Sequence, residues 1–209
     1  MNIYAILAVL VGALTAIQSR INGQLSKELH NGIAAAVVSF GSGWIILWII
    51  AIFSKKERDG LNAVWNSLKY KSLRRWEIIG GMGGGFYVAV QSTTVPVIGV
   101  ALFSIATLAG QTVSSLLVDK IGLSPNGKQA ITKLRLFAAA TTMLAVTIAV
   151  YPDLGKGSFD FVALTAGFIV GMIVSGQQAI NGRVNEITKR PLSTAWINFL
   201  MGTIVLVTA

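Results

Sequence analysis

Of 209 residues, 54% are apolar and only 12% charged, with a mean hydropathy of +0.69; a soluble domain carries about twice that share of charge. Too little polar surface is left to cover a water-soluble globule, and the net charge of +9 need not mean nucleic acid, since basic loops on an anionic leaflet account for it equally well. With no Cys and one His, His30, the chain lacks disulfides, thiolate chemistry and any His-pair metal site, so no cofactor or metal is expected.

A helix needs about 20 apolar residues to cross a hydrocarbon core of about 30 Å, and the uncharged stretches are read on that scale. Residues 2–19 and 32–54 supply the first two spans. Ile17, Ile21, Leu25 and Leu29 extend the first helix at i+4 towards Asn31-Gly32, read as its C-terminal cap. The basic loop 55–75 follows, with Leu61, Val64, Trp65 and Leu68 on one helical face. It reads either as a short helix lying on the inner leaflet or as a mobile loop.

Residues 78–118 are 41 uncharged residues, which as one helix would measure about 60 Å and therefore form two spans. The run Gln91 to Thr94 followed by Val95-Pro96 is the expected turn, because Pro96 breaks the ladder and biases Val95 towards an extended backbone. Residues 136–152, 161–182 and 191–209 complete seven spans. Gly80, Gly81, Gly84 and Gly85 form small-xxx-small pairs for helix packing, without the spacing of a phosphate loop. Trp44, Trp48, Trp65, Trp76 and Trp196 read as interfacial or lipid-facing anchors.

At a constant offset of 159, Gln18 to Gly23 aligns with Gln177 to Gly182 without a gap, sharing Gln-x-x-Ile-Asn-Gly, and Gly12/Gly171, Phe40/Phe199 and Gly43/Gly202 also match. Spans six and seven thus repeat spans one and two. This repetition, and an apolar start at Ile3 with no basic n-region, speak against a cleaved signal peptide. The expected fold is an all-α membrane helix bundle, with a five-helix unit at 1–152 and the first two helices of a second at 159–209. Five spans per unit is an odd number, so the second copy enters from the other face and the units are inverted. Fourteen Lys and Arg fall on the N-terminal side and three on the other, which puts the N-terminus in the cytoplasm.

Gln-x-x-Ile-Asn-Gly closing the first span, together with Ala109-Gly110-Gln111, Ser115-Leu116 and Asp119 to Gly122 in the fourth, resembles the YdcZ-like branch of the drug/metabolite transporter superfamily. The resemblance implies an inner-membrane transporter with ten helices in double-length members. This chain stops within its seventh span, so it is expected to be incomplete. The interface left open in the first unit would face lipid or a second molecule, as in a homodimer.

No Asp, Glu, Lys or Arg lies near the middle of a span, which weakens a cation/proton antiport reading. Asp119, at a helix end beside Lys120, is expected to be solvated or Lys-paired. The candidate contacts for a small solute are amides: Gln111 near mid-membrane, Gln18 and Asn22 with their copies Gln177 and Asn181 on two polar stripes, and Asn198 in span seven. Each has interhelical bonding as its structural alternative. The expected function is secondary transport by alternating access between inverted repeats. A non-transporting membrane binding or assembly subunit and a channel are the rivals. An enzyme is not expected, because no nucleophile, base and carboxylate converge within the bilayer.

Overall fold

A computed structural model describes residues 3–151 and 160–209. The helices are α1 (Ile3–Leu29), α2 (Gly32–Phe53), α3 (Lys55–Lys69), α4 (Arg75–Ile78), α5 (Met82–Ile121), α6 (Lys133–Val150), α7 (Phe161–Thr188) and α8 (Pro191–Thr208), with a 3-10 turn at Ile79–Gly81 joining α4 to α5. By length and composition α1, α2, the continuous run Arg75–Ile121, α7 and α8 can cross a membrane. Pro152, which closes the expected first unit, and Lys156, one of the three basic residues expected on the far side, lie outside the described residues.

The amphipathicity of α1 is that of a helix in lipid. It buries Ser19, Asn22, Gly23 and Ser26 and exposes Leu10, Leu14, Ile17 and Ile21. A hydrocarbon solvent rewards this inversion: apolar side chains gain nothing by leaving it, whereas polar groups must find partners within the protein.

The long uncharged run doubles back. Tyr87 and Phe103 meet at a tilt with ring centroids 5.6 Å apart, whereas sixteen residues of straight helix would separate them by about 24 Å. The reversal is at Gly99 (φ 80°, ψ 163°), and not at the expected Gln91–Pro96 turn, which stays helical with Pro96 inside it. A proline within a helix removes one ladder bond, but reversing the chain here requires a positive φ with extended ψ, which is essentially a glycine conformation.

Other expectations change with the structure. Asn31 does not close α1: α1 ends at Leu29, His30 takes a left-handed backbone (φ 51°), and the Asn31 side chain instead caps α2 by accepting from the Ile33 and Ala34 N–H groups. The basic loop is helical as α3, but Leu61, Val64 and Leu68 pack with Leu73 against Val184, Ile187 and Ile197. The stripe is covered by α7 and α8 and not by the leaflet, and Trp65 points away from it, 71% exposed. Trp44 and Trp196 are not lipid anchors; they tilt against one another at 6.0 Å, with both ring nitrogens buried.

Several features recur at the offset of 159. α1 and α7 end at Leu29 and Thr188, and α2 and α8 begin at Gly32 and Pro191. The intervening His30 and Lys189 have matching left-handed backbones (φ 51° and 50°). Phe40 and Phe199 stack at 4.8 Å, a Cβ on Gly43 would strike the Phe199 ring, and a Cβ on Gly202 would strike the Phe40 ring. Trp44, four residues further along α2, meets Trp196, three residues earlier in α8, so the two helices run antiparallel.

α7 lies along both arms of α5. Its tightest contacts are backbone to backbone: a Cβ on Gly110 would collide with the Phe168 carbonyl, and one on Gly171 with the Thr107 carbonyl, while a Cβ on Gly12, aligned with Gly171, would meet nothing within 4 Å. Gly171→Ala is therefore expected to destabilise the protein by about 1–3 kcal/mol, as overpacking does, and Gly12→Ala to stay within about 0.5 kcal/mol. Denaturant unfolding in detergent micelles measures both.

Candidate functional site

A cavity of about 490 Å³ opens between α1, both arms of α5 and α7. That is within the usual range for small-molecule sites. α1 supplies Ala8, Val11, Gly12, Thr15 and Ala16; the 82–98 arm supplies Gly84 and Tyr87; the 100–121 arm supplies Ser104, Thr107, Leu108 and Gln111; α7 supplies Val174, Gln177 and Gln178. No Asp, Glu, Lys, Arg or His is among these lining residues. The Thr15 hydroxyl donates to its own helix at the Val11 carbonyl, as helix threonines commonly do. The amides of Gln111, Gln177 and Gln178 carry no protein hydrogen bond among the described residues and are free to meet a solute.

The expected site residues divide. Gln111 and Gln177 come together in this cavity from separate helices. Gln18 and Asn22 line a shallower groove of about 330 Å³ with residues of α2 and do not reach it. Asn181 lies beside Gly80, its Oδ1 3.7 Å from where a Cβ on that glycine would be, and the Asn198 backbone is pressed against Gly81. Gly85 faces the Gly202 backbone in the same way, whereas Gly84 faces Gln177.

Asn22 belongs to a buried network that the sequence reading did not find. Its Nδ2 donates to Gln91 Oε1 at 2.8 Å, and Gln91 Nε2 donates to Ser19 Oγ at 2.7 Å and to the Tyr87 hydroxyl at 3.2 Å. Gln91 is fully buried. The network ties α1 to the 82–98 arm and fixes the Tyr87 ring at the cavity wall. The signal for it was the i, i+4 spacing of Tyr87 and Gln91, which goes unseen when Gln91 is assigned to a turn.

Three carboxylates near helix ends meet partners from other segments. Glu77, 5% exposed, accepts from the Arg74 N–H at 2.7 Å and pairs with Arg183 of α7 at 3.1 Å. The Ser193 hydroxyl of α8 donates to the Glu57 carboxylate of α3 at 2.7 Å. Asp119 is paired with Arg135, across the turn from α5 to α6, and not with the adjacent Lys120.

A family model described as "Putative inner membrane exporter, YdcZ" matches residues 3–148 and 162–209, nearly the whole chain. The chain belongs to this family. No curated protein and no solved structure matches it. Membership in the YdcZ exporter family, with the five long apolar helices, makes the chain an integral inner-membrane protein of transporter type. It also favours a transporter over an enzyme.

Gln91→Leu removes the shared partner of Ser19, Asn22 and Tyr87 and is expected to cost about 1–3 kcal/mol, because it strands a buried amide. The double variant Asn22→Leu/Gln91→Leu should cost less than the sum of the two single changes. Unfolding of the four proteins in one detergent completes the cycle.

Proposed function

We propose that this YdcZ-family chain forms a secondary transporter of a small, uncharged solute, working by alternating access between two inverted units. The observation that carries the reading is the cavity itself, whose walls come from α1 and α5 of the first unit and α7 of the second. Its amides and hydroxyls offer hydrogen bonds but no counter-charge, and an ionised solute buried there without one would be strongly disfavoured.

Seven crossings follow when α1, α2, the two arms of Arg75–Ile121, α6, α7 and α8 each span the bilayer. The N-terminus is then cytoplasmic, by the fourteen to three distribution of basic residues. Inversion is supported by the reciprocal contacts Gly43 to Phe199 and Gly202 to Phe40. Self-complementary contact between antiparallel helices is what a two-fold axis perpendicular to them produces, and for spanning helices that axis lies in the membrane plane.

A thermal-shift screen of neutral metabolites on the purified protein identifies a solute, and counterflow in liposomes then separates a carrier from a channel or a non-transporting subunit. Gln111→Ala should slow exchange about ten-fold, the equivalent of one hydrogen bond, at unchanged folded yield. Exchange that survives the substitution, or a fall in step with loss of folded protein, would remove Gln111 from the site. For topology, a reporter fused after Lys56 should read cytoplasmic and one after Lys27 external; the reverse pattern ends the orientation.

A further inference from the structure

The central cavity has a neighbour. A groove of about 280 Å³ runs between residues 76–83 and 173–180, and Gln177 is the residue it shares with the cavity. The Gln177 amide lies across the backbone of two glycines: a Cβ on Gly84 would come within 2.9 Å of its Nε2, and one on Gly83 within 3.3 Å of its Oε1. The two missing methyl groups are what let the amide occupy the partition between the two spaces. Around neighbouring Gly176 there is open room, with nothing within 4 Å of a would-be Cβ. A side chain with three rotatable bonds and no protein partner can swing there without unpacking a helix. Beyond the groove, at the α3 end, Glu77 and Arg183 hold the 75–81 segment to α7.

We infer that Gln177 is a gate: in this conformation its amide closes the cavity from the groove at the α3 end, and its rotation connects them. The inference rests on the carrier reading above and adds the element that separates the cavity from one face of the membrane. The same two glycines also admit Ile173 of α7 and Phe40 of α2.

Because the chain has no cysteine, one introduced thiol reports on the cavity without interference. Ser104→Cys places it on the cavity wall away from Gln177, and a membrane-impermeant cationic methanethiosulfonate is added from either face of reconstituted vesicles. Adding Gln177→Ala should raise labelling from the α3 face at least about ten-fold, the effect of moving the open population by roughly 1.4 kcal/mol. Gln177→Asn, which withdraws the amide by one methylene, should raise it in the same direction and serves if the alanine variant folds poorly. Equal rates from the α3 face with and without the amide overturn the gate, whatever the rate from the other face. No labelling from either face in any variant shows a cavity closed to water and overturns the carrier reading with it.

Discussion

A polar group in hydrocarbon has no solvent to bond to, and this one constraint orders the whole bundle. It puts Ser19, Asn22 and Ser26 inside and Leu10, Leu14, Ile17 and Ile21 outside on α1. It also directs hydroxyls back to their own helices: Thr15, Thr93, Thr112, Thr141, Thr142 and Thr165 each donate to the carbonyl four residues earlier. Gln91 cannot be satisfied that way in full and instead draws three side chains around itself. The amides that line a cavity large enough for a solute, Gln111, Gln177 and Gln178, are left unengaged among the described residues.

The second determinant is how closely backbones approach. Glycines at Gly110 and Gly171 bring the 100–121 arm and α7 to carbonyl contact. Beside that crossing lies the space lined by Thr107, Val174, Gln177 and Gln178. Gly12 occupies the aligned position on α1, faces no side chain and contributes to the opposite wall of that space. The same residue type at equivalent positions thus makes a seam in one place and a cavity wall in the other.

The ends of the bundle are not alike in their contacts. At the α3 end, the apolar stripe of α3, the Glu77–Arg183 pair and the Ser193–Glu57 hydrogen bond all join residues before 82 to residues after 182. A carboxylate as buried as Glu77 is tolerated because a guanidinium and a backbone N–H both meet it; without them, desolvation would far outweigh any packing gain. In the carrier that we propose, these contacts would have to loosen for the cavity to reach that face.

The solvent, and through it the class of fold, follows from the amino-acid composition alone. Composition and the lengths of the uncharged stretches require spanning helices, and the one run too long for a single crossing requires a reversal. At the offset of 159 the helix ends Leu29 and Thr188, and the helix starts Gly32 and Pro191, fall at matching positions. Which residue makes the reversal was not legible, since both Pro96 and Gly99 are helix breakers and only the backbone conformation shows which is used. Nor could one-dimensional spacing show that Gln111 and Gln177 share a cavity while Asn22 turns to Gln91. A stripe at i+4 marks the face of a helix, but not the neighbour it meets, and the neighbour is decided by how closely the glycines let α5 and α7 approach.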